Sequence, residues 1–141
     1  MTSVTLRRAT ISDLAVLVTL GDAAGNAERR RRIEETLATR ETVLALRGDE
    51  AVGYGVLGTF FDRPFVSLVY VSPPHRRRGI AEALVRHFGA LDAPKVFSST
   101  NLGNAAMHAL FRKLGWIAAG MVDHLDEGDP EVIYVRVTSV Q

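Results

Sequence analysis

The sequence has no cysteine among its 141 residues. A disulfide framework, a thiolate nucleophile and a cysteine-ligated metal centre are therefore excluded, and the four histidines show no metal-ligand spacing. No apolar run approaches the roughly 20 residues that a membrane helix needs. The first residues also lack the apolar core of a secretory signal. We therefore expect a cytoplasmic protein without a metal and without a membrane contact.

The sequence also lacks a strong excess of charge of one sign, since its net charge is +1. Nucleic-acid-binding domains are usually more basic, so nucleic acid is not the expected partner. The composition, 47% hydrophobic and 23% charged, is that of a globular protein. We expect residues 1–141 to form one domain around one core. The arginines nevertheless cluster in two runs, Arg29–Arg32 and Arg76–Arg78.

Hydrophobic periodicity predicts a mixed α/β domain with the order β-α-α-β-β-β-α-β-α-β-β. The second helix has few apolar residues and should lie on the surface. The segment 65–71 is apolar enough to be a central strand. The predicted helices are 12–21, 27–39, 79–90 and 104–114, and the predicted strands are 4–8, 42–46, 51–60, 65–71, 95–99, 116–122 and 131–137. Turns are expected at 47–50 and 62–64, and a loop at 101–103.

The stretch VSPPHRRRGIA, residues 71–81, places arginines between a strand and a helix. The first turn of a helix leaves backbone N–H groups unpaired and carries about +0.5 charge. Gly79 and Ala81 let an anion approach the backbone, and Arg76–Arg78 add cationic donors, so the stretch predicts a phosphate or pyrophosphate site. It is not a Walker loop, because no Gly-Lys-Ser/Thr follows. It is not a dinucleotide fingerprint, because it has one glycine rather than three. The alternative is a solvated basic loop.

Two motifs in this sequence resemble those of the GNAT superfamily of N-acetyltransferases. Arg76, Gly79 and Ala81 match the Arg/Gln-x-x-Gly-x-Gly/Ala pattern that follows a strand in this family. The segment NAAMHALFRKLGW, residues 104–116, resembles the family helix Asn-x-x-Ala-x-x-Leu-Tyr-x-Lys-x-Gly-Phe. The resemblance implies the GNAT acyl-CoA-binding fold, in which a mostly antiparallel mixed sheet with two splayed parallel strands is flanked by helices.

The resemblance also implies that acetyl-CoA is the co-substrate. Its pantetheine arm would pair with the strand near Val69 and Val71, as an added strand does. Asn104 would hydrogen-bond this arm, and Phe111 would contact it. The pyrophosphate would lie on Arg76, Arg77, Arg78, Gly79, Ile80 and Ala81.

The implied reaction is direct transfer of the acetyl group to a primary amine of a small molecule or peptide. A backbone N–H near Val71 would stabilise the developing oxyanion. A base must take the ammonium proton. No single base stands out among the candidates Glu28, Glu34, Glu35, Asp62 and His124, whereas His75 reads as a surface residue and His87 and His108 have no obvious partner.

Phe111 departs from the family pattern, because the family's tyrosine at this place donates a proton to the leaving thiolate. Three interpretations follow. The thiolate leaves unprotonated or takes a proton from water; another hydroxyl, such as that of Tyr70, replaces the tyrosine; or the chain binds acetyl-CoA and catalyses poorly. The last interpretation would make it a non-catalytic acyl-CoA-binding member of the family.

The sequence does not identify the acceptor amine. The resemblance implies an acceptor pocket walled by 21–32 and 123–129. Arginines of 29–32 that face this pocket would suit a carboxylate or phosphate, whereas pairing with Glu34 and Glu35 would make them a solvated surface. The acids in 126–129 would suit a cation. An aminoacyl-tRNA acceptor is a further alternative, and a homodimer through the apolar segment 132–135 stays open, since that segment reads equally well as core.

Overall fold

The computed structural model describes residues 3–21 and 25–138. Seven strands form one sheet in the order β1-β2-β3-β4-β5-β7-β6, and its pairs are antiparallel except for β4 and β5, which are parallel. The strands are β1 Thr5–Arg8, β2 Glu41–Arg47, β3 Glu50–Phe60, β4 Arg63–Val71, β5 Lys95–Asn101, β6 Ile117–Val122 and β7 Glu131–Val137. The helices are α1 Leu14–Leu20, α2 Ala27–Thr39, α3 Ile80–Gly89 and α4 Ala105–Lys113, and short 3₁₀ turns cover Ile11–Asp13 and Pro73–His75. The predicted mixed sheet flanked by helices is confirmed.

The β3–β4 turn begins one residue earlier and ends two residues earlier than the predicted turn at 62–64. Arg63 and Pro64 belong to β4 and pair with Phe60 and Thr59. The turn consists of Phe61 and Asp62, which have φ values of 50° and 64°. Two consecutive residues with positive φ fit the twist of a two-residue hairpin, so the strands continue closer to the turn than 62–64 allowed. The loop predicted at 101–103 begins one residue later than predicted, because Asn101 is the last residue of β5.

The alternating side chains of the central strands divide the core into two layers. On β2, Val43 and Ala45 pack in the cluster that α3 and α4 cover, where Phe88 and Leu84 have no exposed surface. Leu44 points to the other face and packs in the cluster under α1 and α2. Each such fully buried side chain stabilises the fold by about 1.5–3 kcal/mol. Helix α2 has no buried residue, as its thin apolar content predicted.

A β-bulge opens the sheet between β4 and β5. In the β3–β4 ladder Leu68 pairs with Val56 and Val66 pairs with Leu57, which leaves Ser67 as an extra residue. The parallel ladder to β5 contains two pairs and ends at Val66 with Ser98. A bulge bends its strand and increases the local twist. Beyond Val66 the two parallel strands therefore separate, as the predicted fold requires.

The far edge of the sheet is β6, because β7 lies between β5 and β6. Residues 132–135, for which the sequence left edge and core open, are buried in the core. All six residues of β6 are exposed, and Ile117 and Met121 each keep 58% of their surface. Of the helices within residues 3–21 and 25–138, none is long and apolar enough to cross a membrane.

Candidate active site

A groove of about 610 Å³ lies where β4 separates from β5. We call it the splay groove. It is lined by β4, the following loop, the start of α3 and the start of α4. The structure brings together nine of the predicted site residues there, Val69, Tyr70, Val71, Arg76, Arg77, Gly79, Ile80, Ala81 and Asn104. Arg78 and Phe111 are not among the lining residues.

The β4 backbone presents hydrogen-bonding groups to this groove. Ser72 donates its N–H to the carbonyl of Val52 on β3, at 2.9 Å. Because backbone groups alternate sides along a strand, those of Val69 and Val71 point away from β3 and toward the separated β5. The Val71 carbonyl accepts a hydrogen bond from Nε of Arg76 at 2.9 Å. The Val69 amide and carbonyl and the Val71 N–H are therefore the groups that an added strand would meet.

The start of α3 forms the second wall. Gly79 caps the helix with φ 81°, a left-handed conformation that disfavours any side chain. The first bond of the helix runs from Ala83 N–H to the Gly79 carbonyl, so the N–H groups of Ile80, Ala81 and Glu82 have no partner within the helix. A Cβ atom added at Gly79 would meet no atom within 4 Å. The site therefore offers unpaired donors and room for an anion.

The loop before α3 is held by contacts that the sequence analysis missed. His75, interpreted there as a surface residue, has a side chain that is only 14% exposed. One ring nitrogen lies 3.4 Å from Nη1 of Arg47 and the other lies 3.2 Å from Oε2 of Glu50. These contacts join the loop to the β2–β3 turn. The sequence gives no local signal for the His75–Glu50 contact, because the two residues are 25 positions apart.

An ion-pair cluster joins α3 to α4 beside the groove. The Glu82 carboxylate accepts from Lys113 at 2.8 Å and from Arg86 at 3.0 Å. The hydrogen bond from Lys113, followed by that from Arg86, holds the pKa of Glu82 below its usual value. Glu82 therefore stays ionised, and its charge is compensated next to the donors at the start of α3.

Two polar residues of α4 fix its start over the groove. The Asn104 Oδ1 atom accepts from Met107 N–H at 3.2 Å, which leaves the side-chain NH₂ to face a ligand. His108, for which the sequence indicated no partner, is buried and lies 2.6 Å from the Tyr134 hydroxyl. Its Nε2 contacts the carbonyls of Asn101 and Leu102 at 3.1 and 3.0 Å. Carbonyls only accept, so Nε2 carries the proton and Nδ1 accepts from Tyr134.

The two aromatic residues singled out in the sequence lie in different places. Phe111 is fully buried and stacks on Tyr134, with ring centres 4.5 Å apart. Tyr70 lines the splay groove, and the guanidinium carbon of Arg76 lies 5.7 Å from the centre of its ring. The Tyr70 ring also lies 6.0 Å from that of Tyr54. Of these two residues, Tyr70 lines the groove and Phe111 does not.

A second cavity of about 480 Å³ lies between α1, α2 and strands β2 to β4. We call it the helix–sheet pocket. Tyr54 lines it, so the Tyr54–Tyr70 pair connects it to the splay groove. Burial, the largest effect, raises the pKa of Tyr54, while the charge of Arg29 opposes this, so the phenol keeps its proton at neutral pH. The lining residues are Leu17, Arg29, Arg32, Ile33, Thr36, Leu37, Arg40, Thr42, Tyr54, Val56, Ser67 and Leu68.

The candidate bases do not converge on either cavity. The lining of the two cavities includes none of the five, and the segment 123–129, with His124, surrounds a separate surface depression instead. Glu28 pairs with Arg32 at 3.1 Å, and among the described residues no arginine of 29–32 pairs with Glu34 or Glu35, the partners that the solvated-surface alternative named. Within residues 3–21 and 25–138 no cluster of three or more His, Asp or Glu residues could hold a metal.

Comparison with known proteins agrees with this geometry. The model of the acetyltransferase (GNAT) family matches residues 14–116. The chain belongs to this family. An acetyltransferase of the GNAT family from Bacillus cereus ATCC 10987 has 35% sequence identity to this GNAT chain and a TM-score of 0.86, covering 98% of this chain and 99% of its own. A search of the curated proteins by sequence finds no match.

Two more distant structures share the fold of this GNAT protein. The ribosomal-protein-S18-alanine N-acetyltransferase from Escherichia coli has a TM-score of 0.80 at 15% identity, over 99% of this chain and 96% of its own. The structure of yncA from Salmonella typhimurium, which contains its cofactor acetyl-CoA, has a TM-score of 0.74 at 18% identity, over 99% of this chain and 96% of its own. Membership of the family supports an acetyltransferase, and the acetyltransferases of this family use acetyl-CoA.

Proposed function

We propose that this protein is an N-acetyltransferase that transfers the acetyl group of acetyl-CoA directly to a primary amine. The observation that carries this proposal is the splay groove. It combines the groups of Val69 and Val71 that no strand pairs with, the unpaired N–H groups at the start of α3, and the amide of Asn104. It also joins a second pocket large enough for an acceptor.

The residues present suit acetyl-CoA. An amide-containing arm can extend the sheet along β4, because both it and the strand alternate donors and acceptors. The pyrophosphate would meet the N–H groups of Ile80 and Ala81 together with Arg76 and Arg77, where a helix N-terminus favours negative charge. When bound, acetyl-CoA supplies an acetyl thioester, whose C–S bond breaks as the amine nitrogen forms the new C–N bond. One amine proton ends on the CoA sulfur, and an ammonium acceptor first loses another proton to water.

Two N–H groups of β4 face the groove, those of Val69 and Val71. The Val69 N–H is the one that lies nearer the bulge. The phosphate site follows Val71 directly, so the reactive end of a ligand lying along β4 points back toward Val69 and Ser67. That end meets the helix–sheet pocket, which Ser67 lines. We therefore assign to Val69 the N–H that stabilises the developing oxyanion, and to Val71 a contact with the pantetheine arm.

Tyr70 is the proton donor that we propose for the leaving sulfur. Its phenolate then recovers the proton that the attacking nitrogen releases, so that in the net reaction one amine proton ends on sulfur. Its hydroxyl-bearing ring lines the groove, whereas Phe111 lies in the core. The contact with the Arg76 guanidinium holds the ring in place. Because the predicted bases lie outside both cavities, we expect water in the helix–sheet pocket to take the ammonium proton.

Calorimetry with acetyl-CoA, followed by a thiol-release assay over primary amines, tests the proposed function. We expect micromolar binding of acetyl-CoA and release of free CoA only when an acceptor amine is added. Binding without turnover of any amine would favour the non-catalytic alternative. Absence of binding would overturn the proposal, and the arginine loop would then be a basic surface.

We also propose that two chains associate through β6. This strand forms an edge of the sheet, and its six residues, Ile117–Val122, are exposed and uncharged. An unpaired apolar edge is a template for pairing with another strand. Sedimentation velocity should show a dimer, and Ile117→Lys with Met121→Lys should convert it to a monomer. A monomer in the unsubstituted protein would contradict this proposal.

A further inference from the structure

The spacing of the lining residues along α2 shows which arginines of the run Arg29–Arg32 face the helix–sheet pocket. The α2-side residues that line it are 29, 32, 33, 36, 37 and 40, a spacing of three and four that defines one helix face. All four arginines of the run are exposed, but Arg30 and Arg31 fall outside this face and do not line the pocket. Two of the four arginines therefore point toward the pocket, and the other two provide matched positions that do not.

The lining of the pocket is cationic, since three of its twelve residues are arginines and none is Asp or Glu. One of the three, Arg32, is paired with Glu28, and both of these side chains are largely exposed. Among the described residues no carboxylate lies within ion-pair distance of Arg29 or Arg40. A ligand that brings a negative charge would therefore meet two guanidinium groups that the described part of the protein leaves uncompensated.

These two arginines come from opposite ends of α2, since Arg29 is its third residue and Arg40 follows its last. The charge of Arg29 acts on the Tyr54 phenol, next to the splay groove. The Arg40 Nη1 atom lies 3.8 Å from the position of a Cβ atom added at Gly58. Tyr54 and Gly58 are four residues apart on β3, which is about 13 Å along a strand. A carboxylate close to the reacting amine would therefore meet Arg29 first.

The remaining lining suits a small amphipathic molecule. Leu17, Ile33, Leu37, Val56 and Leu68 give an apolar surface. Thr42 is 2% exposed, and its hydroxyl has no hydrogen-bond partner among the described residues. A buried hydroxyl without a partner costs stability that a polar group of a ligand can recover. The pocket thus pairs an apolar surface with a cation and an unused hydroxyl.

We infer, on the basis of the proposed function, that the acceptor is a free amino acid with an apolar side chain, whose carboxylate binds Arg29 while its α-amine faces the splay groove. The five apolar residues hold the side chain. Arg29 is then a specificity-determining residue, which distinguishes an α-carboxylate from an uncharged group of the same shape. A cationic acceptor, which the acids at 126–129 suggested, does not suit this pocket.

The test compares each apolar amino acid, from alanine to tryptophan, with its own carboxamide in the thiol-release assay. The two carry the same side chain and nearly the same shape, and differ in the charge beside the amine. We expect kcat/KM to be about 10- to 100-fold higher for the best acid than for its amide, the range of one charge-assisted contact. Arg29→Ala should remove this ratio by lowering kcat/KM for the acid toward that for its amide. Arg31→Ala, on the same helix but outside the pocket, should keep it.

The outcomes separate the inference from the proposed function. Loss of acetyl-CoA binding in the unsubstituted protein would overturn the function itself. If acetyl-CoA binds but the amides or other uncharged amines are acetylated as well as the acids, the inference is overturned and the function stands. If none of the acids is acetylated, the inference is overturned, and the function stands only where some other primary amine is acetylated. Retention of the full ratio in Arg29→Ala would equally overturn the role of Arg29.

Discussion

The splay groove and the helix–sheet pocket are built in different ways. Most residues that line the groove belong to one stretch, from Val69 to Glu82, whose backbone groups supply its donors and acceptors. The others, Asn104, Ala106, Met107 and Leu110, come from the cap and first turns of α4. The pocket consists of side chains that five elements contribute, from Leu17 on α1 to Leu68 on β4. Both meet at the Tyr54–Tyr70 contact. A site for a common cofactor is thus local and made of backbone, whereas the site that decides the acceptor is dispersed and made of side chains.

This difference determines which substitutions affect each cavity. Backbone donors respond to changes in φ, in the space next to the chain and in the local charge. The pocket responds to the removal of individual side chains, as the Arg29→Ala test exploits. Four further variants, at Gly79, Tyr70, Gly53 and Asp13, are taken from the largest expected effect to the smallest. The first three alter the groove or the strand beside it, and Asp13 lines neither cavity.

Gly79→Glu should abolish the groove as an anion site. The new carboxylate would stand beside the N–H groups of Ile80 and Ala81 and repel a pyrophosphate, and like charges at such distances cost several kcal/mol. We expect acetyl-CoA affinity to fall at least about 100-fold by calorimetry. The control is Gly128→Glu, because Gly128 has the same φ of 81° and no atom within 4 Å of an added Cβ, and lies outside both cavities. Equal affinities of the two variants would exclude this phosphate site.

Tyr70→Phe should test the contact between the two cavities. Phenylalanine keeps the ring beside the Arg76 guanidinium and removes the hydroxyl. A positioned acid contributes at least about 100-fold to a rate, so we expect kcat to fall about 100-fold while acetyl-CoA affinity stays within about threefold. Tyr54→Phe, in the neighbouring ring, should have the smaller effect on kcat. An unchanged kcat in Tyr70→Phe would show that the sulfur leaves without Tyr70.

The local groove was predictable from the sequence, and the reason is physical. A glycine at a helix start and arginines ahead of it signal an anion site within one short stretch. This pattern left a solvated basic loop as the alternative, and the resemblance to the GNAT motifs favoured the anion site at Arg76 and Gly79. The order of helices and strands along the chain followed from periodicity. Contacts across the sheet had no such signal: the His108–Tyr134 hydrogen bond and the His75–Glu50 pair join residues 26 and 25 positions apart.

The pocket had one sequence signal that remained ambiguous. Four consecutive arginines on a helix cannot share a face, and the apolar residues Ile33 and Leu37 mark the face that turns inward. Positions 29 and 40 lie four residues before and seven residues after Ile33, a spacing that places all three on one helix face. What the sequence could not show is that Glu28 compensates Arg32 and that the expected wall at 123–129 lies elsewhere.

Gly53→Ala should disturb the groove from the β3 side. A Cβ atom at this position would lie 2.6 Å from the Tyr70 carbonyl oxygen and 3.3 Å from the Val71 Cα, both backbone atoms of β4. Because β4 must shift, we expect a loss of about 1–3 kcal/mol in the free energy of unfolding and weaker acetyl-CoA binding. Urea denaturation and calorimetry measure the two effects.

The control for Gly53→Ala is a glycine with room for a methyl group. At Gly89 the nearest atom to an added Cβ is Cζ2 of Trp116, at 3.6 Å, an ordinary van der Waals distance. Gly89→Ala should therefore keep both stability and affinity, since alanine also favours the helix. If Gly53→Ala behaves like Gly89→Ala, the close approach of β3 to β4 does not position the groove.

Asp13→Asn should change stability while leaving the groove intact, since Asp13 lies at the β1–α1 corner. Its buried carboxylate accepts from Arg7 at 2.9 and 3.0 Å and from Thr10 N–H at 2.8 Å. The Arg7 hydrogen bonds lower the pKa of Asp13, so its contribution is present above the unfolded-state pKa of about 3.9 and is lost as the pH falls through the folded-state value. We expect Asp13→Asn to cost about 1–2 kcal/mol in urea denaturation at pH 7, and less as the pH falls below about 3.9. A pH-independent difference would show that shape rather than charge holds this corner, and a weaker acetyl-CoA affinity would show that the corner and the groove are coupled.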